Sequence, residues 1–441
     1  MSFHAQLPVW IDLFDLHAAY PERYPFLLQS VAGHPRSGRY DLLFAHPGEA
    51  LALRAGEGPD FFAELNRRAG ALPRLDNPDL PYCGGWFLLL GFEAAQWVEP
   101  RLRLAPSRSG LPDGLAVRCP SAVIADRERR CLYLVSEQGA AALDTLRADV
   151  EAVLSRPAPA PADALIAQVE EDPPQQFLDG VARILDYLGA GDVFQVNLSR
   201  AWRARLGPGT DYRDLYRRLR QTNPAPFAGL ARWGGAAVIS SSPERLVQVA
   251  DGWVETRPIA GTRPRGQGEA QDGALRRELV GNLKERAEHV MLIDLERNDL
   301  GRLCEPGTVS VSELMSVESY AHVHHIVSNI RGRLRADVGP GEVLRAVFPG
   351  GTITGCPKVR ATEIIAELEC GPRGAYTGAM GYLSRCGRLD CNILIRSLTV
   401  EGGVATLRAG AGIVADSQPE AELAETRAKA RGLLLALGAR L

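Results

Sequence analysis

Lysine is nearly missing from this chain: three of its 50 basic residues are lysine, and the rest are arginine. The three are Lys284 in NLKERAEHV, Lys358 in GGTITGCPKVR and Lys429 in ELAETRAKAR. Arginine serves wherever a solvated positive charge is enough. A retained lysine therefore points to sites where a compact ammonium or its neutral amine does work that a planar guanidinium cannot. Long apolar runs are also lacking, so no segment is expected to span a bilayer, and the start MSFHAQLPVWIDLFDL lacks the basic and apolar regions of a signal peptide. The formal net charge is only -3, which removes the electrostatic case for nucleic acid or an anionic membrane as a partner. The eight cysteines are scattered without paired spacing. Cys386 and Cys391 come closest to a metal pair, and no second pair completes a zinc site. Free thiols in a reducing cytoplasm are the expectation.

What is present is an ordinary globular composition, 46% hydrophobic and 23% charged, in 441 residues. The clearest seam is SRPAPAPADA at 155–164, whose Pro/Ala alternation favours extended, poorly packing chain. The division expected is an N-terminal region 1–154, a linker 155–172 and a catalytic domain 173–436. Before the seam, YDLLFAH, GWFLLLGF and RCLYLVS read as strands. After it, FLDGVARILDYLGAG and DYRDLYRRLRQT have helical periodicity, while DVFQVNLSRAW, AAVISSSPERLVQV and GWVETRPIAGT read as strands. DGALRRELVGNLKERAEHVMLIDLERNDLG reads as one long helix. HHIVSNIRGRL, AMGYLSR, CNILIRSLTVE and ATLRAGAGIV are further strands, and VRATEIIAELE and PEAELAETRAKARGLLLAL are further helices. The pattern is a mixed chain with antiparallel-compatible strands rather than a βαβ series.

Glu285 and Glu288 stand at i and i+3 on a helix, so both carboxylates share a face, and Glu422 and Glu425 repeat that spacing with Lys429 one turn beyond. Two such pairs facing each other would suit Mg²⁺ with its hard oxygen ligands, although acidic residues on helices mostly face solvent. GGTITGCPK fails as a Walker loop, because Cys356 and Pro357 separate Gly355 from Lys358. Its glycines, like Gly410 and Gly412 in AGAGI, either expose backbone N–H groups to an anion or make a tight turn. His325, beside an apolar strand pattern, is either a structural histidine or a proton-transfer group. Arg396 interrupts the apolar ILIRSL and requires an anionic partner, a substrate carboxylate or an internal acid. Glu244 in SSSPERL would serve as a general acid if burial raised its pKa.

Taken in order, GDVFQVNLS, SSSPERL, RPIAGTRPRG, KERAEHVMLIDLERNDLGR, HHIVS, FPGGTITGCPKVRATEIIAELE, RGAYTGAMGY, NILIRS, AGAGIVADS and ETRAKA resemble the chorismate-utilising enzymes. That family includes anthranilate, aminodeoxychorismate and isochorismate synthases, and the segments cover nearly all of 175–431. The resemblance implies an α+β fold like anthranilate synthase component I, with antiparallel β-sheets packed as a sandwich, helices around them, and a site in the cleft between the sheets. It implies that Glu288 and Glu425 hold Mg²⁺ directly and Glu285 and Glu422 through waters. Tyr376, Arg396, Gly410, Gly412 and Lys429 would grip the carboxylates of chorismate. Glu244, His325 and Thr352 would surround the ring and its leaving hydroxyl, with Ala260, Gly261 and Thr262 in the same catalytic region. Family members that add water carry a lysine base where this chain has Gln195, so the resemblance points to ammonia as nucleophile. That ammonia would come from a separate glutaminase subunit, since no glutaminase signature is present. QVNLS with Asn197, DLERND with Glu296, PGGTITG, RYDLLFAHP and GGWFLLLGFEAA resemble aminodeoxychorismate synthase component I more than anthranilate synthase. Ala260 departs from that pattern, in which a lysine gives PIKGT, and matches anthranilate synthases instead. LLQS (27–30) corresponds to the tryptophan-site segment of anthranilate synthases, with Gln29 replacing an acid. A packed strand is the expectation there.

Overall fold

The computed structural model describes residues 3–32, 38–75, 79–156, 165–319 and 323–439, with the side chains of Ala167 and Thr262 excepted. Two large antiparallel sheets organise it, one of twelve strands and one of ten. Their inner faces meet in an apolar layer where Phe26 and Phe44 of the first sheet pack on Phe87 of the second, Phe26 and Phe87 stacking with centroids 4.0 Å apart. The opposite face of the twelve-stranded sheet is covered by helices Leu13–Ala19, Ala140–Leu154, Tyr212–Thr222 and Pro419–Leu437, whose apolar stripes form a second core. This is the helix-flanked sandwich expected.

Both sheets draw strands from either side of the Pro/Ala-rich seam. Phe26–Gln29 pairs with Phe227–Trp233 in one sheet, and Gly85–Leu90 pairs with Ala379–Ser384 in the other. Residues 157–164 of the expected linker lie outside the described residues. Its C-terminal part is not linker: Ile166–Glu171 is a strand paired with Gln195–Leu206. LLQS is indeed strand, and its buried Gln29 accepts a hydrogen bond from the Tyr216 hydroxyl at 3.1 Å.

Two further corrections bear on the site. The long helix expected across 272–301 is two, Glu269–Gly281 and Leu283–Gly301. Asn282 takes an extended conformation between them, and its side chain accepts from the N–H groups of Lys284 and Glu285, the capping role short polar side chains favour. CNILIRSLTVE is likewise not one strand. Leu389–Ile393 belongs to the ten-stranded sheet and Ser397–Glu401 to the twelve-stranded one, and the chain turns at Arg396 with φ +52°. A matching crossing occurs at Pro243–Glu244, between Ala236–Ser242 and Arg245–Ala250. The crossings are stitched together: Ile393 N donates to Glu244 O at 3.1 Å, Ser242 Oγ to Ile393 O at 2.6 Å, and Ser241 N to Arg396 O at 3.0 Å. Arg396 and Glu244 thus both stand where the chain changes sheets.

Candidate active site

Glu244 is 5% exposed, and burial pushes its carboxyl up to about 7, against weaker lowering by the Thr352 hydroxyl, the Ile259 backbone and the charge of Lys429. Thr352, in the short turn Gly351–Ile353, has its Oγ1 buried without a well-formed hydrogen bond. His325 lies on the Val323–Arg333 strand, opposite Thr262. Burial holds its imidazole down to about 4, with the Gly261 backbone opposing, so it is neutral at pH 7.

Ile259–Pro264 carries Ala260, Gly261 and Thr262, with a register shift between Ala260 and Thr262. Gly261 makes that irregularity possible: its φ is +69°, and a Cβ there would stand 2.9 Å from Glu285 Oε2. Ala260 is 9% exposed.

Gly410 and Gly412 lie within the C-terminal half of the Val404–Ile413 strand, so neither is a turn. They are small because side chains of the neighbouring strand lie across them. A Cβ at Gly412 would be 2.4 Å from Gln195 Nε2, and one at Gly410 would be 2.6 Å from Asn197 Oδ1. Gln195 Oε1 and Asn197 Oδ1 are both buried without a partner. Buried amide oxygens left in this state are rare and mark places where a ligand or water completes the bonding.

Arg396 carries its guanidinium into the same region. Burial lowers its pKa, with Tyr376 and Glu425 acting the other way, and among the described residues its side chain makes no ion pair. Of the two partners the sequence left open, an internal acid forms no ion pair with it among the described residues. Tyr376 is 8% exposed, and its hydroxyl pKa is raised by burial and opposed by Arg373. Lys429 pairs with Glu425 at 2.6 Å, and its Nζ donates to Gly410 O at 3.1 Å, which ties the last helix to the glycine strand.

The four glutamates come from the Leu283–Gly301 and Pro419–Leu437 helices. Burial pushes the Glu288 carboxyl up to about 6; Lys284 opposes that, and Glu285, Glu422 and Glu425 add to it. Glu422 is also raised, chiefly by burial. Hard-oxygen donors crowded enough to raise one another's pKa fit a divalent cation such as Mg²⁺. The carboxylates are not gathered into a coordination group among the described residues. Glu285 is engaged by Arg263 at 3.2 Å and Glu425 by Lys429.

Not all the sequence's candidates belong here. Lys358 opens the Lys358–Leu368 helix with its Nζ 2.7 Å from Asp299 Oδ2, a buried ion pair rather than an anion cradle. Gly355 answers a close backbone approach, since a Cβ there would be 2.0 Å from Gln195 O. Conversely, Glu296 carries a chemical signal that spacing alone did not single out. Burial pushes its carboxyl up to about 8, with Thr256 opposing and Glu244 and Asp299 adding, and its Oε2 has no partner. The sign was present in the sequence: Glu285, Glu288, Leu292, Glu296 and Asp299 follow one face of a helix.

Comparison with known proteins identifies the family and the fold. Residues 24–435 match the family described as chorismate binding enzyme. The chain is 40% identical over 411 residues to an anthranilate synthase component I-like protein of Synechocystis, covering 92% of this chain and 84% of that one. It is 40% identical over 448 residues to aminodeoxychorismate synthase component 1 of Bacillus subtilis, covering 95% and 93%. Anthranilate synthase names are the more numerous among its relatives. The crystal structure of anthranilate synthase component I from Streptococcus pneumoniae superposes with a TM-score of 0.80 at 32% identity, over 91% of this chain and 93% of that one. No helix among the described residues is long and apolar enough to cross a membrane. With fold and sequence in agreement, the chain belongs to the chorismate-binding enzyme family.

Proposed function

We propose that this enzyme aminates chorismate with ammonia to give 4-amino-4-deoxychorismate and water, as component I of an aminodeoxychorismate synthase acting toward p-aminobenzoate and folate. The observation that carries this reading is the pair Asn197 and Glu296. Both are positions at which the chain resembles aminodeoxychorismate synthase, and each leaves a buried oxygen unpartnered beside the candidate site. Gln195 supports ammonia over water as nucleophile, because an amide supplies no base to deprotonate water.

In this reading Arg396 and Lys429 face the two substrate carboxylates, with Tyr376 and the backbone of Gly410 and Gly412 fixing their orientation. Glu244, protonated near neutral pH, gives its proton to the departing C4 hydroxyl, and ammonia takes the vacated carbon and releases a proton. Neutral His325 and Thr352 orient the ring. Mg²⁺ held by Glu288 and Glu425, with Glu285 and Glu422 behind, would supply positive charge for a dianionic substrate. Glu288→Ala is expected to abolish Mg²⁺-dependent turnover, and unchanged turnover would remove the metal assignment. Ammonia would arrive from a separate glutaminase subunit in the cytoplasm, and free ammonium should replace it.

Ala260 favours a second reading, anthranilate synthase, in which the same substrates yield anthranilate, pyruvate and water. Purified protein with chorismate, Mg²⁺ and ammonium separates the two. An intermediate turned into p-aminobenzoate only by added aminodeoxychorismate lyase supports the first, and fluorescent anthranilate without lyase supports the second.

A further inference from the structure

Beneath Tyr376 lies a fully buried ionic group that the reaction itself does not use. Arg373 has a side chain 1% exposed, Glu369 2% and Arg408 8%. Arg373 Nε and Nη2 hold Glu369, the latter at 2.6 Å, and Arg408 Nη2 holds the same carboxylate at 2.7 Å. Beyond Glu369 the two arginines differ. Among the described residues Arg408 reaches one further residue, Ser199 on the Asn197 strand, through its Oγ at 3.0 Å and its carbonyl at 3.4 Å. Arg373 spreads over three separate segments of the site: Nη2 donates to Asn197 O at 2.7 Å, and Nη1 donates to Ile353 O at 3.0 Å and Thr377 Oγ1 at 3.2 Å. Its guanidinium carbon lies 5.6 Å from the centre of the Tyr376 ring.

Those segments carry Asn197, Thr352 and Tyr376. Thr377 is held at φ +61°, a left-handed conformation costly for a β-branched residue, and such positions persist only where surrounding bonds fix them. Its hydroxyl donates to Tyr376 O at 2.5 Å and accepts from Arg373, so the strained turn is locked from both sides. Glu93, from the N-terminal part of the chain, closes the arrangement by accepting from Arg373 N at 2.8 Å and Gly374 N at 3.1 Å.

We propose that Arg373 is a positioning residue for chorismate: its planar fork sets the spacing between the Asn197 strand, the Thr352 turn and the Tyr376 loop, so that the substrate-binding groups are preorganised. The proposal rests on the reading that Tyr376 contacts the substrate. A lysine keeps the charge opposite Glu369 but cannot serve Asn197, Ile353 and Thr377 from one plane. Arg408 is the control: it shares Glu369 and burial and touches the Asn197 strand at Ser199, but it bonds neither the Thr352 turn nor the Tyr376 loop.

The test is steady-state kinetics with chorismate and ammonium, together with thermal midpoints, on Arg373→Lys, Arg408→Lys and Tyr376→Phe. Arg373→Lys should raise KM for chorismate about tenfold or more, with kcat much less affected, since small misplacements of binding groups are expensive. Arg408→Lys should leave KM within about twofold while lowering the thermal midpoint comparably, because both variants weaken the hold on a buried carboxylate. An unchanged KM in Arg373→Lys, or equal KM changes in both arginine variants, overturns positioning. An unchanged KM in Tyr376→Phe overturns the substrate reading on which it rests, whatever Arg373 does. If Arg373→Lys does not fold, Thr377→Ala takes its place: a raised KM supports the proposal and an unchanged one overturns it.

Discussion

Glu369 and Glu244 both have buried carboxyls, and their pKa values move in opposite directions. Burial alone would raise both. At Glu369 the charges of Arg373 and Arg408 and the Ser199 hydroxyl more than offset it, and the carboxyl is held below its ordinary range. At Glu244 nothing comparable stands opposite, and the pKa rises to about 7. Glu296, beside it, rises to about 8. Around Glu369 two guanidiniums offset burial, whereas Glu244 and Glu296 have no cation close enough to offset theirs. Matched burial gives rigidity, and unmatched burial gives a proton donor.

Substituting the two carboxyls should separate the regions most sharply. Glu244→Gln is expected to lower kcat by roughly 10²–10⁴-fold, the range for losing a general acid, without loss of thermal stability. Glu369→Gln should do the reverse, destabilising the fold by about 3–5 kcal/mol in denaturant unfolding, because two buried guanidiniums lose their counter-charge.

Acidity offers a subtler comparison. A general acid with a pKa near 7 must be protonated to act, so kcat should fall as pH rises through about 7 in a pH–rate profile. His325 and His289 behave oppositely with respect to stability. Both are held down to about 4 by burial, below the ordinary 6.5. Their neutral forms belong to the fold, so the contribution of each is fully present above pH 6.5. It is lost as pH falls toward 4, at ~1.4 kcal/mol for every pH unit crossed. Thermal midpoints between pH 7 and 4.5 should show it. Glu296 has the opposite pH dependence. Its folded pKa lies above the unfolded value, so ionisation opposes folding as pH rises from about 4.5 toward 8, and Glu296→Gln should raise the thermal midpoint at pH 8 and change it little at pH 5.

Much of this was legible in one dimension. The amphipathic periods of Pro174–Gly189, Tyr212–Thr222 and Pro419–Leu437 follow from apolar side chains returning every three to four residues, and these helices are present. Lys429 was marked by the rarity of lysine, and it pairs with Glu425 beside the glycine strand. Lys358 bore the same mark and proved to be the partner of Asp299, because a retained ammonium in a buried ion pair looks the same in sequence as one that meets substrate. The break at Asn282 was hidden because helical periodicity continues across it, while a single side chain capping two N–H groups decides the boundary.

Local patterns and ordered motifs were enough to establish the family and the sandwich of antiparallel sheets. Which buried charges are matched emerged from packing alone. Glu369 meets Arg373 only four residues away, but it also meets Arg408, 39 residues on, and Arg373 in turn reaches Asn197, 176 residues back. Protonation, preorganisation and strain depend on such distances through space, and the order of residues along a chain does not contain them.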